Sequence, residues 1–304
     1  MTGGWREAAG ERGGGMDKLK GTLTAMVTPF DQHGRLSLGA LPAYLDFQRQ
    51  GGIAGVVVCG TNGEGVSLAA SERMRLLEAV MELRASMTVV AGTGAASVQD
   101  AVDLTVHAGR AGADAVLVLP PFFFKNPTAR GIADYYRRVL DASSIPVLLY
   151  SIPQQTMIAI TDEVLDLLAG HPRLAGLKDS QGDWNRTRTL LRERRDLLVL
   201  PGSDDILLKA VQAGAVGSIS GTANAFPELV SAVSRMHAQG RGEAAQARLD
   251  AAKSILLQYP LIAAAKSVLA RRGVDRMWVR PPLVDLTPAQ EEEMLGRLEA
   301  AGVL

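Results

Sequence analysis

An α/β chain folded as a (β/α)8 TIM barrel with a C-terminal helical appendage is the class the sequence predicts, on three observations. Short apolar runs and amphipathic stretches alternate from Leu23 onward with little between them, and the alternation continues for about eight units. The first apolar run ends in Thr28-Pro29-Phe30 and carries no G-x-G-x-x-G turn. Strict βα alternation needs crossover connections and therefore parallel strands, and about eight such units close into a barrel. An open doubly wound sheet is the competing fold, and it calls for the glycine-rich phosphate turn that is missing after the first strand.

Taken in order, residues 1–16 are glycine-rich and polar and form an N-terminal extension expected to be disordered, with Met16 a second candidate start. Strands are expected at 23–27, 53–59, 88–91, 115–119, 146–150, 174–177, 197–200 and 215–219. These runs are nearly continuous in Val, Ile, Leu and Ala, the pattern of strands covered on both faces. Helices are expected at 37–50, 71–85, 98–111, 129–141, 162–169, 184–195, 204–213 and 227–236, several of them opening on a capping residue such as Ser37, Thr161 or Ser203. Beyond the eighth unit the strand signals stop, and 241–257, 260–272 and 288–301 look helical. The barrel is therefore assigned to 17–238 and the helical segment packed on it to 239–304.

Bulk properties narrow the function. Basic and acidic residues balance at 32 each and aromatics make up 5%, so no global field favours nucleic acid or an anionic membrane, and a small-molecule substrate is expected. No apolar stretch approaches the roughly 20 residues that span a bilayer. The single cysteine, Cys59, rules out an intrachain disulfide framework and fits a cytoplasmic location. At the end of an apolar run it reads as a small buried hydrophobe.

Barrel enzymes build their sites at the C-terminal ends of the strands, so the residues that follow each apolar run carry the functional reading. Those ends are rich in glycine and hydroxyl residues. None holds a histidine, which argues against a metal site or a histidine-based triad. Lys178 stands where 174–177 gives way to a polar turn. An amine there can lose hydration and attack a carbonyl in its neutral form, although a strand-end lysine that snorkels to water has the same local sequence. Tyr150 ends the neighbouring fifth strand, within reach of Lys178. Gly60-Thr-Asn-Gly-Glu-Gly65 has the composition of a backbone nest for a carboxylate, and equally of an ordinary tight turn. An amine, a phenol and an anion nest on one rim suit carbinolamine formation, proton transfer and carboxylate binding on a 2-oxo acid.

Six spaced motifs then resemble one family. Ala25-Met-Val-Thr-Pro-Phe30, Gly60-Thr-Asn-Gly-Glu64, Ala91-Gly-Thr-Gly94, Leu149-Tyr-Ser-Ile-Pro153, Gly176-Leu-Lys-Asp-Ser180 and Gly217-Ser-Ile-Ser-Gly-Thr-Ala-Asn224 resemble, in order, the dihydrodipicolinate synthase / N-acetylneuraminate lyase family. The resemblance implies a class I aldolase-type lyase in which Lys178 forms an imine with pyruvate or a pyruvate-derived skeleton and Tyr150 is the acid/base. Thr61 and Asn62 would hold the carboxylate, with Gln155, Phe123, Ile219, Ser220 and Gly221 around the substrate. It also implies no cofactor or metal, and a homotetramer built as a dimer of dimers.

Two positions depart from the namesake reaction. Dihydrodipicolinate synthases typically read Tyr-Asn-Val-Pro-Ser-Arg-Thr where this chain reads Tyr150-Ser-Ile-Pro-Gln-Gln-Thr156. Gln155 replaces the arginine that grips the aldehyde's carboxylate, a loss of about 1.5–3 kcal/mol at a buried site. Phe123 stands where a tyrosine completes a proton relay from a neighbouring subunit, and a phenyl ring carries no proton. The expected activity is therefore cleavage or condensation of 2-oxo-3-deoxy or 4-hydroxy-2-oxo acids. Dihydrodipicolinate synthesis from pyruvate and aspartate semialdehyde is the alternative, a dehydratase using the same imine another, and a non-catalytic 2-oxo-acid-binding barrel the reading from outside enzymology.

Overall fold

The computed structural model describes residues 16–304. Apart from Met16, the expected N-terminal extension lies outside the described residues. Eight parallel strands follow one another round a barrel: β1 (Gly21–Ala25), β2 (Gly55–Val58), β3 (Thr88–Gly92), β4 (Ala115–Val118), β5 (Val147–Ser151), β6 (Leu174–Asp179), β7 (Leu198–Pro201) and β8 (Gly217–Ser220). Hydrogen-bonded ladders run from β7 through β6, β5, β4, β3 and β2 to β1, and β1 pairs on its other edge with β8, Leu23 lying opposite both Gly55 and Ile219. β7 and β8 lie side by side without a ladder, so the barrel is nearly closed. The expected eight-unit barrel is the observed fold.

Between the strands run α1 (Leu41–Gln50), α2 (Ala70–Leu83), α3 (Val98–Arg110), α4 (Ala129–Ala142), the single turn α5 (Pro153–Thr156), α6 (Asp162–Leu168), α7 (Trp184–Glu193) and α8 (Leu207–Gln212), and α9 (Pro227–His237) follows β8. Their amphipathic spacing is what docks them. In α4, Ile132, Ala133, Tyr136, Val139 and Leu140 are buried, one face of a helix with 3.6 residues per turn. Thr161 caps α6 by accepting from the Val164 N–H. Ser37 and Ser203 do not cap, because a 3-10 turn precedes both α1 and α8. Instead Ser203 donates to Asp205. The turn α5 has too few residues to show a period in the sequence.

Two apolar layers result. The inner one fills the barrel with Leu23, Val57, Val90, Leu117, Leu148, Leu200 and Ile219, and Leu19 plugs its floor. The outer one lies between strands and helices. Lys18 and Leu19 are tied to the floor by the Thr88 hydroxyl donating to the Lys18 carbonyl and by Lys18 pairing with Asp114 at 2.8 Å.

The C-terminal segment consists of α10 (Gly242–Leu256), α11 (Leu261–Arg271) and α12 (Pro288–Ala300). α10 packs on α9, while Arg272 lies over the Phe47 ring and donates to the Ala225 carbonyl. Among the described residues no helix is long and apolar enough to cross a membrane.

Candidate active site

Parallel pairing of β5 with β6 puts Tyr150 directly opposite Lys178. Both are 3% exposed, and the Lys178 Nζ lies 4.1 Å from the centroid of the Tyr150 ring. The Thr61 hydroxyl, on the loop after β2, donates to the Tyr150 hydroxyl at 3.4 Å. Glycine at 202 makes room for the lysine stem. A Cβ there would stand 2.9 Å from Lys178 Cε and 2.0 Å from Ser180 Oγ. Across the mouth, Gly221 does the same for Asn62, whose Nδ2 would lie 2.7 Å from an added Cβ.

These groups open into a cavity of about 370 Å³ that Thr61, Asn62, Tyr150, Gln155, Lys178 and Gly221 help to line. A second, mostly apolar cavity of about 160 Å³ branches from it past Thr61, Tyr150 and Gln155. Gln155 is presented by α5. Its neighbour Gln154 holds that turn against the β6 loop by donating to the carbonyls of Ser180 and Gln181.

Two expected substrate-binding residues, Ile219 and Ser220, lie elsewhere, and Phe123, at the position expected to act on a neighbouring subunit, points out of its own barrel. Ile219 is inside the barrel below the rim, and the Ser220 hydroxyl accepts from the Ala223 N–H. β8 ends at Ser220, so Gly221 and Thr222 face the cavity in their place. Phe123 is 72% exposed, edge-on to Phe124. A bend at 123–125, latched by Lys125 donating to the Phe122 carbonyl, turns it outward and leaves Phe122 beside the smaller cavity.

The glycine-rich loop is less of a nest than its composition suggests. The N–H groups of Glu64 and Gly65 are spent on the carbonyls of Thr61 and Gly60. Among the described residues, those of Thr61 and Asn62 have no backbone acceptor, and these two residues line the cavity. Glu64 has a left-handed φ of 53° and turns its carboxylate away into the protein. There it meets Lys266 of α11 at 2.6 Å, with both side chains 1% exposed, and accepts from the Arg280 N–H at 2.9 Å. Lys266 also donates to the Trp278 carbonyl. A buried carboxylate held by these two donors locks the loop that carries Thr61 and Asn62 to the C-terminal segment.

Electrostatics distinguish the rim groups. Burial pushes the Tyr150 phenol up, but the Lys178 charge and the hydrogen bond from Thr61 outweigh it, leaving the phenol below its ordinary range. Asp204, on the loop after β7, is buried in the cavity wall. Burial holds its carboxyl above the usual range, against the opposing pull of Thr222, Lys253 and Ser220. Cys59 is the buried hydrophobe expected, 7% exposed, its thiol pushed up to about 12 by burial despite the nearby Arg73.

The sequence pattern of the dihydrodipicolinate synthetase family matches residues 18–301. The chain belongs to this family. As a member it is a lyase-family enzyme, and a relative in Chloroflexus aurantiacus described as an uncharacterized DapA-like lyase is 40% identical over 279 residues, 90% of this chain and 93% of that one. The 4-hydroxy-tetrahydrodipicolinate synthase of Pseudomonas aeruginosa is 32% identical over 94% of this chain and 99% of its own. The crystal structure of a chloride-inhibited dihydrodipicolinate synthase from Acinetobacter baumannii, complexed with pyruvate, superposes with a TM-score of 0.86 at 26% identity, covering 94% of this chain and 100% of that one.

Asp204, Thr222 and Ile152 join the cavity without having been singled out in the sequence, as do Lys253 and Leu257 of the C-terminal segment. The first three sit at or just beyond strand ends, where the barrel rule would have found them. The last two carry no such signal.

Proposed function

We propose that this family member is a class I, Schiff-base-forming aldolase that cleaves or forms 4-hydroxy-2-oxo or 2-oxo-3-deoxy acids, with pyruvate as the imine-bound partner. The observation that carries the reading is the buried Lys178–Tyr150 pair with the Thr61 hydroxyl beside it. In the condensing direction the neutral Lys178 amine attacks C2 of pyruvate to give a carbinolamine. Tyr150 passes a proton to the departing hydroxyl, and water leaves the protonated imine. The Tyr150 phenolate takes a proton from C3 to give an enamine, whose C3 forms the new bond to an aldehyde carbon while Tyr150 returns that proton to the aldehyde oxygen. Water then hydrolyses the imine, freeing the product and Lys178. The imine nitrogen is the electron sink, so the reading needs no metal or cofactor. Thr61 and Asn62 hold the pyruvate carboxylate through their unspent N–H groups, and Gln155 hydrogen-bonds the hydroxyl at C4.

Family membership and the pyruvate held by the Acinetobacter synthase support the imine partner. The names of the Pseudomonas and Acinetobacter relatives favour a second reading, condensation with aspartate semialdehyde. Gln155 weighs against it, since an amide gives no ion pair to that substrate's carboxylate. A homotetramer in the cytoplasm completes the proposal, and the exposed Phe123 and Phe124 suit burial against a second copy. A retro-aldol screen of 2-oxo acids with pyruvate detection tests the activity. Pyruvate release from 4-hydroxy-2-oxo acids is expected, and efficient aspartate semialdehyde condensation without any such release would replace it by the second reading.

A further inference from the structure

The cavity over Lys178 is divided by chemistry. Around the reactive amine it presents the polar side chains of Lys178, Tyr150, Thr61, Asn62 and Gln155. The polar groups of its outer half are already partnered. Lys253 pairs with Asp205 at 2.5 Å, Ser203 donates to the same carboxylate at 3.0 Å, and Asp204 is buried beside Thr222 and Ser220. What remains on the outer wall is apolar and comes from the C-terminal segment: Leu257, Pro260, Leu261, Leu283 and Val284.

Three of these are large apolar side chains held open to solvent, Leu257 at 56%, Leu283 at 37% and Val284 at 69% exposed. They lie in the same cavity as the reactive amine, so whatever extends from the reacting carbons toward solvent runs along them. A polyhydroxylated tail would lose water there without gaining acceptors or donors. A carboxylate there would find Lys253 already paired with Asp205.

Building on the proposed imine reading, we infer that the aldehyde partner carries an apolar alkyl or aryl substituent, and that Leu257, Leu283 and Val284 select it. The cognate 2-oxo acid is then one with a hydroxyl at C4 and an apolar group beyond it, in preference to sugar-derived or dicarboxylic substrates.

The test compares kcat/KM for condensation of pyruvate with benzaldehyde and butanal against glyceraldehyde and succinic semialdehyde, in the full chain and in the variants Leu257→Asp and Val284→Asp. Labelling by pyruvate and borohydride is followed alongside. The apolar aldehydes are expected to lead by about tenfold or more, the range a hydrophobic pocket gives. Either variant is expected to erase most of that lead while pyruvate labelling of Lys178 persists, which also shows that the variant is folded. Labelling without an apolar preference, or a preference untouched by both variants, overturns the acceptor assignment alone. Absence of labelling in the unmodified chain overturns the imine reading and this inference with it.

Discussion

Tyr150 ionises in the field of the Lys178 ammonium, and that pairing has a consequence measurable without any substrate. The phenol of Tyr150 lies below the ordinary value of about 10, while burial drives Tyr44 and Tyr136 well above it and Tyr135 to about 12. A depressed phenol holds its proton only below its folded pKa, so a step that needs the neutral phenol fades as pH rises through a point below about 10. An ultraviolet titration of the folded protein is expected to show Tyr150 ionising ahead of those three, an early component absent from Tyr150→Phe and moved to higher pH in Lys178→Ala. An unmoved titration in Lys178→Ala would mean that the two groups do not interact. For turnover, Tyr150→Phe is expected to lower kcat by about 10²–10⁴, the usual contribution of a positioned acid/base, with pyruvate labelling slowed but still present.

At the scale of elements, the site is a set of strand ends braced from behind. Lys266 of α11 and Glu64 of the β2 loop form a pair closed to solvent, so Lys266→Met leaves the Glu64 carboxylate buried without its cation. That change is expected to cost about 3–5 kcal/mol, read as a lower urea midpoint, and Glu64→Gln/Lys266→Met together should recover part of it. A cost under about 1 kcal/mol would place the pair among the weak surface bridges. The strand ends themselves are legible in the sequence. Buried parallel strands read as apolar runs, and whatever follows each run must stand on one rim, which is how Lys178, Tyr150 and Thr61 come together on paper. Glu64 shows the limit of that logic, because its left-handed backbone aims the side chain away from the rim and no pattern of residue types reveals the turn. The run Phe122 to Phe124 shows it again, since a bend latched by Lys125 decides that Phe122 lines the smaller cavity while the next two point outward. Lys253 lies on α10 and Leu257 just past its end, and the periodicity of that helix says that one face is buried but not what it covers.

Across the whole molecule, the two ends of the barrel do different work, with chemistry at the C-terminal rim and stability at the floor. At the floor Asp114 accepts from Lys18, Arg84 and the Val89 N–H, and although burial opposes ionisation these partners hold its carboxyl below the usual range. A depressed carboxyl adds stability that is present above the unfolded value of about 3.9 and is lost as pH falls through the lower folded value. The difference in Tm between the unmodified chain and Asp114→Asn is therefore expected to be largest above about pH 5 and to shrink toward pH 3, while pyruvate labelling at the far rim is unchanged. A difference independent of pH would assign the effect to packing. The central claim is the imine at Lys178, and its most direct measurement is the intact mass after pyruvate and borohydride. A single reduced pyruvate adduct that Lys178→Ala abolishes is the predicted result. No adduct at saturating pyruvate, or an adduct that survives Lys178→Ala, would contradict it.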